Sequence, residues 1–288
     1  MKPEQMVIIG TARLASRCLE AGLASRSEVV CLEPENDGFS PLAAVCRKRG
    51  IEYHLMEDRG NLLRYLVSIN RPTLVVSAFS PYIFPREVMQ NQALDIINFH
   101  NALLPRHRGR NAPTWTIFEM DPVTGITWHQ VNAEIDMGDI IIQKRMDIPR
   151  DITALELMLQ TLDLGTQAFQ EILPSLLDGS YFHRPMPREG KGNPHRSTDM
   201  PNGGVLDTDW KIEQACAFLR ALDYGRVRVF PLPRVRWSGK ELPITGYRIR
   251  RNVPVENGSA IMFDDHKQQL ILHDQGTRLE IHCGSSPV

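Results

Sequence analysis

The sequence predicts an α/β protein: a Rossmann-like, mostly parallel sheet domain followed by a small C-terminal antiparallel β domain. Three observations carry that prediction. Short, nearly unbroken apolar runs alternate with helix-length segments as far as residue 148, and parallel strands covered on both faces read as continuous hydrophobic runs separated by crossover helices. A stretch rich in Pro and Gly, residues 184–204, then interrupts the pattern. Beyond it come short strand-like pieces split by turn residues, the texture of an antiparallel sheet.

In chain order, "MVIIG" (6–10) reads as the first strand, and the segment 12–23 as the helix that follows it. The strands "EVVCL" (28–32), "TLVVSAF" (73–79) and "LDIINFH" (94–100) have intervening helices at 40–49 and 60–68. Two more strands, "GITWHQV" (125–131) and "DIIIQKRMDI" (139–148), lead to a long amphipathic helix at 153–178. Residues 184–204 hold four Pro and four Gly with almost no aliphatics and read as a linker. A short helix near 210–222 precedes the strand-like pieces "RVRVFPLPRVRW", "ITGYRIRR", "AIMFDD", "QLILHD" and "RLEIHC". The expected division is therefore 1–183 for the sheet domain, 184–204 for the linker and 205–288 for the β domain.

Composition narrows the classes of function. At 288 residues, 42% hydrophobic and 23% charged, the chain can bury an ordinary core. No run approaches the roughly 18 apolar residues of a membrane helix, and the start enters a strand without a signal-peptide core, so a cytoplasmic protein is expected. The five Cys, at 18, 31, 46, 216 and 283, are scattered and lack C-x-x-C spacing, which argues against a disulfide framework and a zinc site. A net charge of −1 supplies no general attraction for nucleic acid. The first strand-to-helix turn, "IIGTARLAS", has no glycine after Gly10, so it lacks the loop that lets a pyrophosphate approach the backbone.

The segment "NFHNALLPRHRG" (98–109) is the informative one. Side chains two apart on a strand share a face, so Asn98 and His100 point the same way at a strand's carboxyl edge, where open α/β sheets keep their sites. Taken alone, a histidine there is more often a hydrogen-bonded structural residue than a catalyst. Downstream, "EIDMGDIIIQ" places Asp136 in a turn beside Gly138, with Asp139 following. The spacing of a calcium loop is absent from this segment. Gly138 suggests a backbone conformation that other residues resist.

With Asn98 and His100 ending a strand, the loop Ala102–Pro105 followed by Arg108 and Gly109, and Asp136 with Gly138 and Asp139, in this order, the chain resembles the enzymes that transfer a formyl group from 10-formyltetrahydrofolate to an amine, a family that includes methionyl-tRNA and amino-sugar formyltransferases. The resemblance covers roughly residues 5–178, and "DTDWKIEQACAFLRAL" (207–222) extends it more weakly. It implies a formyltransferase fold, 10-formyltetrahydrofolate as co-substrate and no metal. It also implies a catalytic trio of Asn98, His100 and Asp136, with Asn98 and His100 as donors to the oxyanion and Asp136 holding His100 in a useful tautomer and helping to take the amine's proton; partial desolvation beside bound folate would raise the Asp136 pKa, which suits that role. Donor contacts are expected from Tyr82, Ile83 and Phe84 of "FSPYIFP", from the backbone and apolar flanks of Ala102, Leu103, Leu104 and Pro105, and from Asp139. Arg108, Trp115 and Trp128 are candidates for contact with the acceptor. The family's usual Ser is Ala102 here, so any contact of that hydroxyl is lost.

The acceptor is less legible. The transfer-RNA enzymes resembled carry a long basic insertion after the second strand, where this chain has the short, acidic "LEPENDGFSPLAAV". Residues 205–288 hold twelve Lys plus Arg against ten Asp plus Glu, a weak footprint for a phosphate backbone. The "GITWHQV" and "GRNAPTWTIF" (109–118) segments look closer to relatives that formylate small amines or amino acids, including those serving peptide-antibiotic or siderophore assembly, and sugar-nucleotide relatives share most of these features. The expected partner is thus a small-molecule amine of a specialised biosynthetic pathway, free or on a carrier protein. A catalytically inert folate-binding or carrier-docking module is the reading from another class. Replacement of Asn98, His100 or Asp136 would have been its signature.

Overall fold

The computed structural model describes residues 1–34, 40–190, 192–254, 260–274 and 276–284. Residues 35–39, part of the acidic connection noted above, lie outside the described residues. The chain forms two compact units, one of Met1–Arg110, Val123–Asp147 and Met158–Pro194, the other of Asn111–Pro122, Ile148–Leu157 and His195–Val288. The chain thus crosses between units more often than a linear division allows. The first part of the supposed linker also packs onto the first unit. Arg184 exchanges both backbone hydrogen bonds with Ile140, at 2.8 and 2.9 Å, and Met186 is buried with Leu104, Met137 and Ile140.

In the first unit, β1 (Gln5–Gly10), β2 (Glu28–Pro34), β3 (Glu52–Met56), β4 (Thr73–Ala78), β5 (Leu94–His100), β6 (Val123–Gln130) and β7 (Ile140–Asp147) form one sheet in the order β3-β2-β1-β4-β5-β6-β7. The pairs from β3 through β5 are parallel; β5–β6 and β6–β7 are antiparallel. Helices α1 (Ala12–Ala24), α2 (Pro41–Arg49), α3 (Arg59–Ser68) and α4 (Arg86–Met89) connect the strands, and α6 (Ala154–Asp178) belongs to this unit from Met158 on. All six residues of β1 and of β4 are buried. At the end of β1 a Cβ on Gly10 would overlap the Ala78 carbonyl oxygen of β4, so only glycine allows the two strands to close there. Alternate residues of the strands feed two cores: Ile97, Phe99, Ile126 and Trp128 join Met6, Ile8 and Phe169, while Ile96 joins Val7, Ile9 and Tyr82 on the other face.

Strand β3 is not evident in the sequence because it is an edge strand with only Met56 buried. It therefore lacks the apolar run that marks its neighbours.

The second unit contains α5 (Ala112–Phe118), α7 (Ile212–Ala221) and the strands β8 (Val205–Leu206), β9 (Arg234–Trp237), β10 (Lys240–Arg250), β11 (Ala260–Asp264), β12 (Gln269–Asp274) and β13 (Thr277–Cys283). Their order is β11-β12-β13-β10-β9-β8, antiparallel except for the short β8–β9 pair. Cys216, Phe218 and Leu219 of α7 pack onto Leu270, Leu272, Leu279 and Ile281, and Phe118 and Trp210 complete that core. The stretch 226–233 stays out of the sheet. Pro231 and Pro233 have no N–H to give a ladder. No helix among the described residues is long and apolar enough to cross a membrane.

Candidate active site

The register of β5 and β6 assembles the site. Asn98 lies directly opposite His129, and His100 opposite Thr127, across the antiparallel pair. Opposed residues put their side chains on one face. Asn98, His100, Thr127 and His129 thus share the face away from Phe99 and Trp128. Asp136, on the turn between β6 and β7, reaches back to the same place. Its Oδ2 lies 3.5 Å from His100 Nδ1 and its Oδ1 lies 3.6 Å from His129 Nε2. The Gly109 backbone N–H donates to Oδ2 at 2.7 Å.

Each group has a defined hydrogen-bonding state. His100 is 5% exposed and its Nε2–H donates to the His107 carbonyl at 2.8 Å, leaving Nδ1 toward Asp136. His129, 2% exposed, donates from Nδ1 to the Gln130 carbonyl at 2.7 Å, and its Nε2 lies 3.2 Å from Asn98 Nδ2, beside the Asp136 carboxylate. That contact orients the Asn98 amide. Asn98 itself is half-buried. Burial lowers the pKa of His100, against the Asp136 charge that raises it. Burial also raises the pKa of Asp136, but the facing His100 and His129 rings and the Gly109 N–H outweigh it and hold the carboxyl well below the ordinary carboxylate range. These neighbours hold the group as a carboxylate, the opposite direction from the raised pKa expected of it beside bound folate.

The turn that carries Asp136 departs from expectation in one further way. The positive φ falls on Asp136 itself, at 53°, and not on Gly138. Gly138 is required because a Cβ there would overlap the Gln130 carbonyl oxygen.

Arg108 is 4% exposed and its guanidinium is committed to the turn. Nε and Nη2 donate to the Ile135 carbonyl at 2.8 and 2.6 Å, Nη2 also reaches Glu134 at 3.2 Å, and Nη1 reaches the Gly192 carbonyl at 3.2 Å. It positions the residue before Asp136 and is not free to bind an acceptor. Trp128 is likewise corrected. It is fully buried between Phe99 and Phe169, donates its indole N–H to the Gly165 carbonyl at 3.0 Å, and faces the core because it is one residue out of phase with His129. Trp115 lies in the second unit, stacked on His195 with ring centroids 3.9 Å apart.

The residues expected to meet the donor also sort unevenly. Tyr82 and Phe84 pack edge to face inside the core, and only Ile83 of that trio is exposed, at 58%. In the "ALLP" loop, Thr127 Oγ1 donates to the Ala102 carbonyl at 2.7 Å and accepts from Leu104 N–H at 3.1 Å, while Gln143 donates to the Leu104 carbonyl at 2.9 Å. Ala102 and Leu104 are buried, so they anchor the loop, and Leu103 and Pro105 are its partly exposed side chains. Asp139 pairs with His183 at 2.9 Å. Ala102 is fully buried, so a Ser hydroxyl there would sit in the packed interior.

The sequence reading missed His129, Thr127 and Arg110. His129 is visible in hindsight only through the β5–β6 register, because it has no chain neighbour in the trio. Arg110 donates to the Pro81 carbonyl at 2.7 Å and feels the Asp136 charge, which opposes the lowering of its pKa by burial.

Residues 29–173 match the family model described as formyl transferase. The chain belongs to this family. Among its relatives, a methionyl-tRNA formyltransferase from Acetivibrio thermocellus is 29% identical over 196 residues, which span 64% of this chain and 63% of that protein. A GDP-perosamine N-formyltransferase from Brucella melitensis is 24% identical over 63% of this chain and 68% of the relative. The structure of an N-formyltransferase from Helicobacter canadensis, solved with folinic acid and dTDP-3-aminofucose, superposes with a TM-score of 0.75 at 16% identity, covering 97% of this chain and 99% of that one. At that identity the likeness is one of fold. It extends through both units of this formyl transferase family member.

Proposed function

We propose that this chain is an N-formyltransferase that moves the formyl group of 10-formyltetrahydrofolate to the primary amine of a small molecule, with nucleotide-linked amino sugars as the first acceptor class. The observation that carries the reaction is the Asn98–His129–Asp136–His100 array, a carboxylate and two buried imidazoles around a half-exposed amide donor. The acceptor class rests on the full-length likeness of fold to a protein solved with an amino-sugar nucleotide and on a relative named for GDP-perosamine. The net charge of −1 weighs against transfer RNA.

In the reaction the amine nitrogen attacks the formyl carbon, and the carbonyl electron pair moves onto oxygen. The Asn98 Nδ2–H not engaged by His129 donates to that oxyanion from the end of a rigid strand, where it needs no reorganisation. The nitrogen's proton passes to the His100–Asp136 pair. His100 already gives one proton to the His107 carbonyl, so a second at Nδ1 makes an imidazolium facing the Asp136 carboxylate. Collapse of the intermediate breaks the bond to folate N10, which leaves with the proton returned from the His100–Asp136 pair, so the pair is reset.

The test is direct. Purified protein is incubated with 10-formyltetrahydrofolate and a panel of dTDP- and GDP-linked amino sugars, free amino acids, ornithine-like diamines and methionyl-tRNA, with formylated product read by mass spectrometry. Formylation of an amino-sugar nucleotide at a kcat/KM at least a hundredfold above the others supports the reading. Preferential formylation of an amino acid or of the tRNA removes the acceptor class and keeps the reaction; no amine-dependent transfer to any member removes the reaction.

A further inference from the structure

Strand β5 ends at His100, and its backbone ladder to β6 ends there too, so the residues that follow need other partners for their backbone groups. One side chain supplies several of them. Thr127, fully buried and directly opposite His100, donates its hydroxyl to the Ala102 carbonyl at 2.7 Å and accepts from the Leu104 N–H at 3.1 Å. It also accepts from Gln143 Nε2 at 3.0 Å. A hydroxyl offers one donor and two acceptor sites, so that of Thr127 is saturated and its orientation is set.

Gln143 lies opposite Thr127 on β7 and also donates to the Leu104 carbonyl, at 2.9 Å. Arg184 Nη2 donates to Gln143 Oε1 at 2.7 Å, which decides which way the amide points. The row His100–Thr127–Gln143 therefore crosses three strands, and its last two members hold the Ala102 carbonyl and both backbone groups of Leu104. Between these anchors Leu103 stays partly exposed. A loop serves binding only where rigid elements fix its backbone, and this one is fixed from the same strand, β6, that carries His129.

We propose that Thr127 is a positioning residue for the formyl donor: its hydroxyl, aligned by Gln143, holds the backbone of 102–104 in the shape against which the donor lies. The assignment rests on the formyl-transfer reading above and not on the acceptor class. Asn98, His100 and Asp136 have their own contacts, to His129, the His107 carbonyl and the Gly109 N–H, and none of these passes through Thr127. Loss of the hydroxyl therefore weakens donor binding and leaves the chemical step nearly untouched, the reverse of the split expected for the trio.

The test is Thr127→Val, which keeps the buried shape and removes the hydroxyl, beside Thr127→Ser, which keeps the hydroxyl. In steady-state transfer to the best amine of the panel above, Thr127→Val should raise KM for 10-formyltetrahydrofolate at least tenfold. Its kcat should fall by less than that factor, KM for the amine should stay within threefold of wild type, and Thr127→Ser should recover most of the donor KM. Calorimetry with 5-formyltetrahydrofolate should show the same tenfold loss and the same recovery, and it reads the donor side alone if no amine is turned over. Thr127→Val leaves buried backbone groups unpaired. If it does not fold, Gln143→Leu at its half-buried position replaces it, with a threefold or larger loss of donor affinity expected. A smaller loss in the folded variant, whatever its thermal stability, or no recovery in Thr127→Ser, overturns the positioning role while the reaction stands. Wild-type protein that binds no reduced folate removes the formyl-donor reading, and the role of Thr127 with it.

Discussion

Replacing Asp136 by Asn removes one charge and little else. The residue sits at φ 53°, a left-handed conformation that Asn adopts more easily than most residues, and an Asn oxygen can keep the 2.7 Å hydrogen bond from Gly109. What is lost is the anion 3.5 Å from His100 Nδ1 and 3.6 Å from His129 Nε2. At an effective dielectric of about 20, a charge pair at that separation is worth roughly 5 kcal/mol, and the Asn carbonyl dipole restores part of it. The imidazolium formed when His100 takes the amine's proton should therefore rise in energy by about 3 to 4 kcal/mol, a fall of about 10² to 10³ in turnover. Because the Asp136 charge raises the pKa of His100, its removal lets burial lower that pKa further. Single-turnover formyl transfer gives the rate, and histidine-labelled NMR titration gives the pKa. A folded Asp136→Asn protein that kept turnover within threefold of wild type, or whose His100 pKa rose, would refute the proton route through this pair.

Asn98→Ala should lower turnover by about 10² to 10³ while folate affinity, measured by calorimetry, changes by less than about threefold, since one oxyanion donor is lost and the pteridine is expected to be held by backbone and apolar contacts. His129→Phe removes the ring nitrogen 3.2 Å from the Asn98 amide, so kcat should fall about tenfold with KM for the amine nearly constant, and His129→Gln should recover part of it. A His129→Phe effect confined to thermal stability would make the residue purely structural. Trp128→Ala should cost about 3 to 5 kcal/mol in denaturant unfolding, as for other large core truncations, with turnover per folded molecule retained. The folded-state pKa of His100 lies below its ordinary 6.5, so the unfolded chain binds the extra proton first. Its share of stability is full above about 6.5 and is lost as pH falls from there toward the folded value. Asp136 adds a second, more acidic loss, below about 3.9. An unfolding free energy flat from pH 7 to 5, identical in wild type and His100→Gln, would contradict the first window.

The parts legible in the sequence are those whose signal is local. Strands β1, β2, β4 and β5 announce themselves as apolar runs because both faces are buried, and Asn98 and His100 can be placed on one face by parity alone. Parity also assigns Trp128 to the opposite face from His129, but only after the pairing Asn98↔His129 is known, since shifting an antiparallel register by one residue exchanges the faces. Register is a property of two strands, and the 22 residues that separate β5 from β6 contain loops whose geometry the composition does not dictate, so His129 and Trp128 cannot be told apart as site and core from the string "GITWHQV". The same reasoning explains Arg108. An Arg beside a catalytic turn reads as a ligand-binding cation until its partners are visible, and the Ile135 carbonyl that takes two of its donors belongs to a segment far along the chain. Charge state is the least local quantity. Burial alone would raise the Asp136 pKa, as the sequence context suggests, and the opposite outcome follows because two histidines from two different strands converge on one carboxylate. The site's chemistry therefore depends on a junction of three segments, β5, β6 and the turn after it, that only the fold brings within hydrogen-bonding reach.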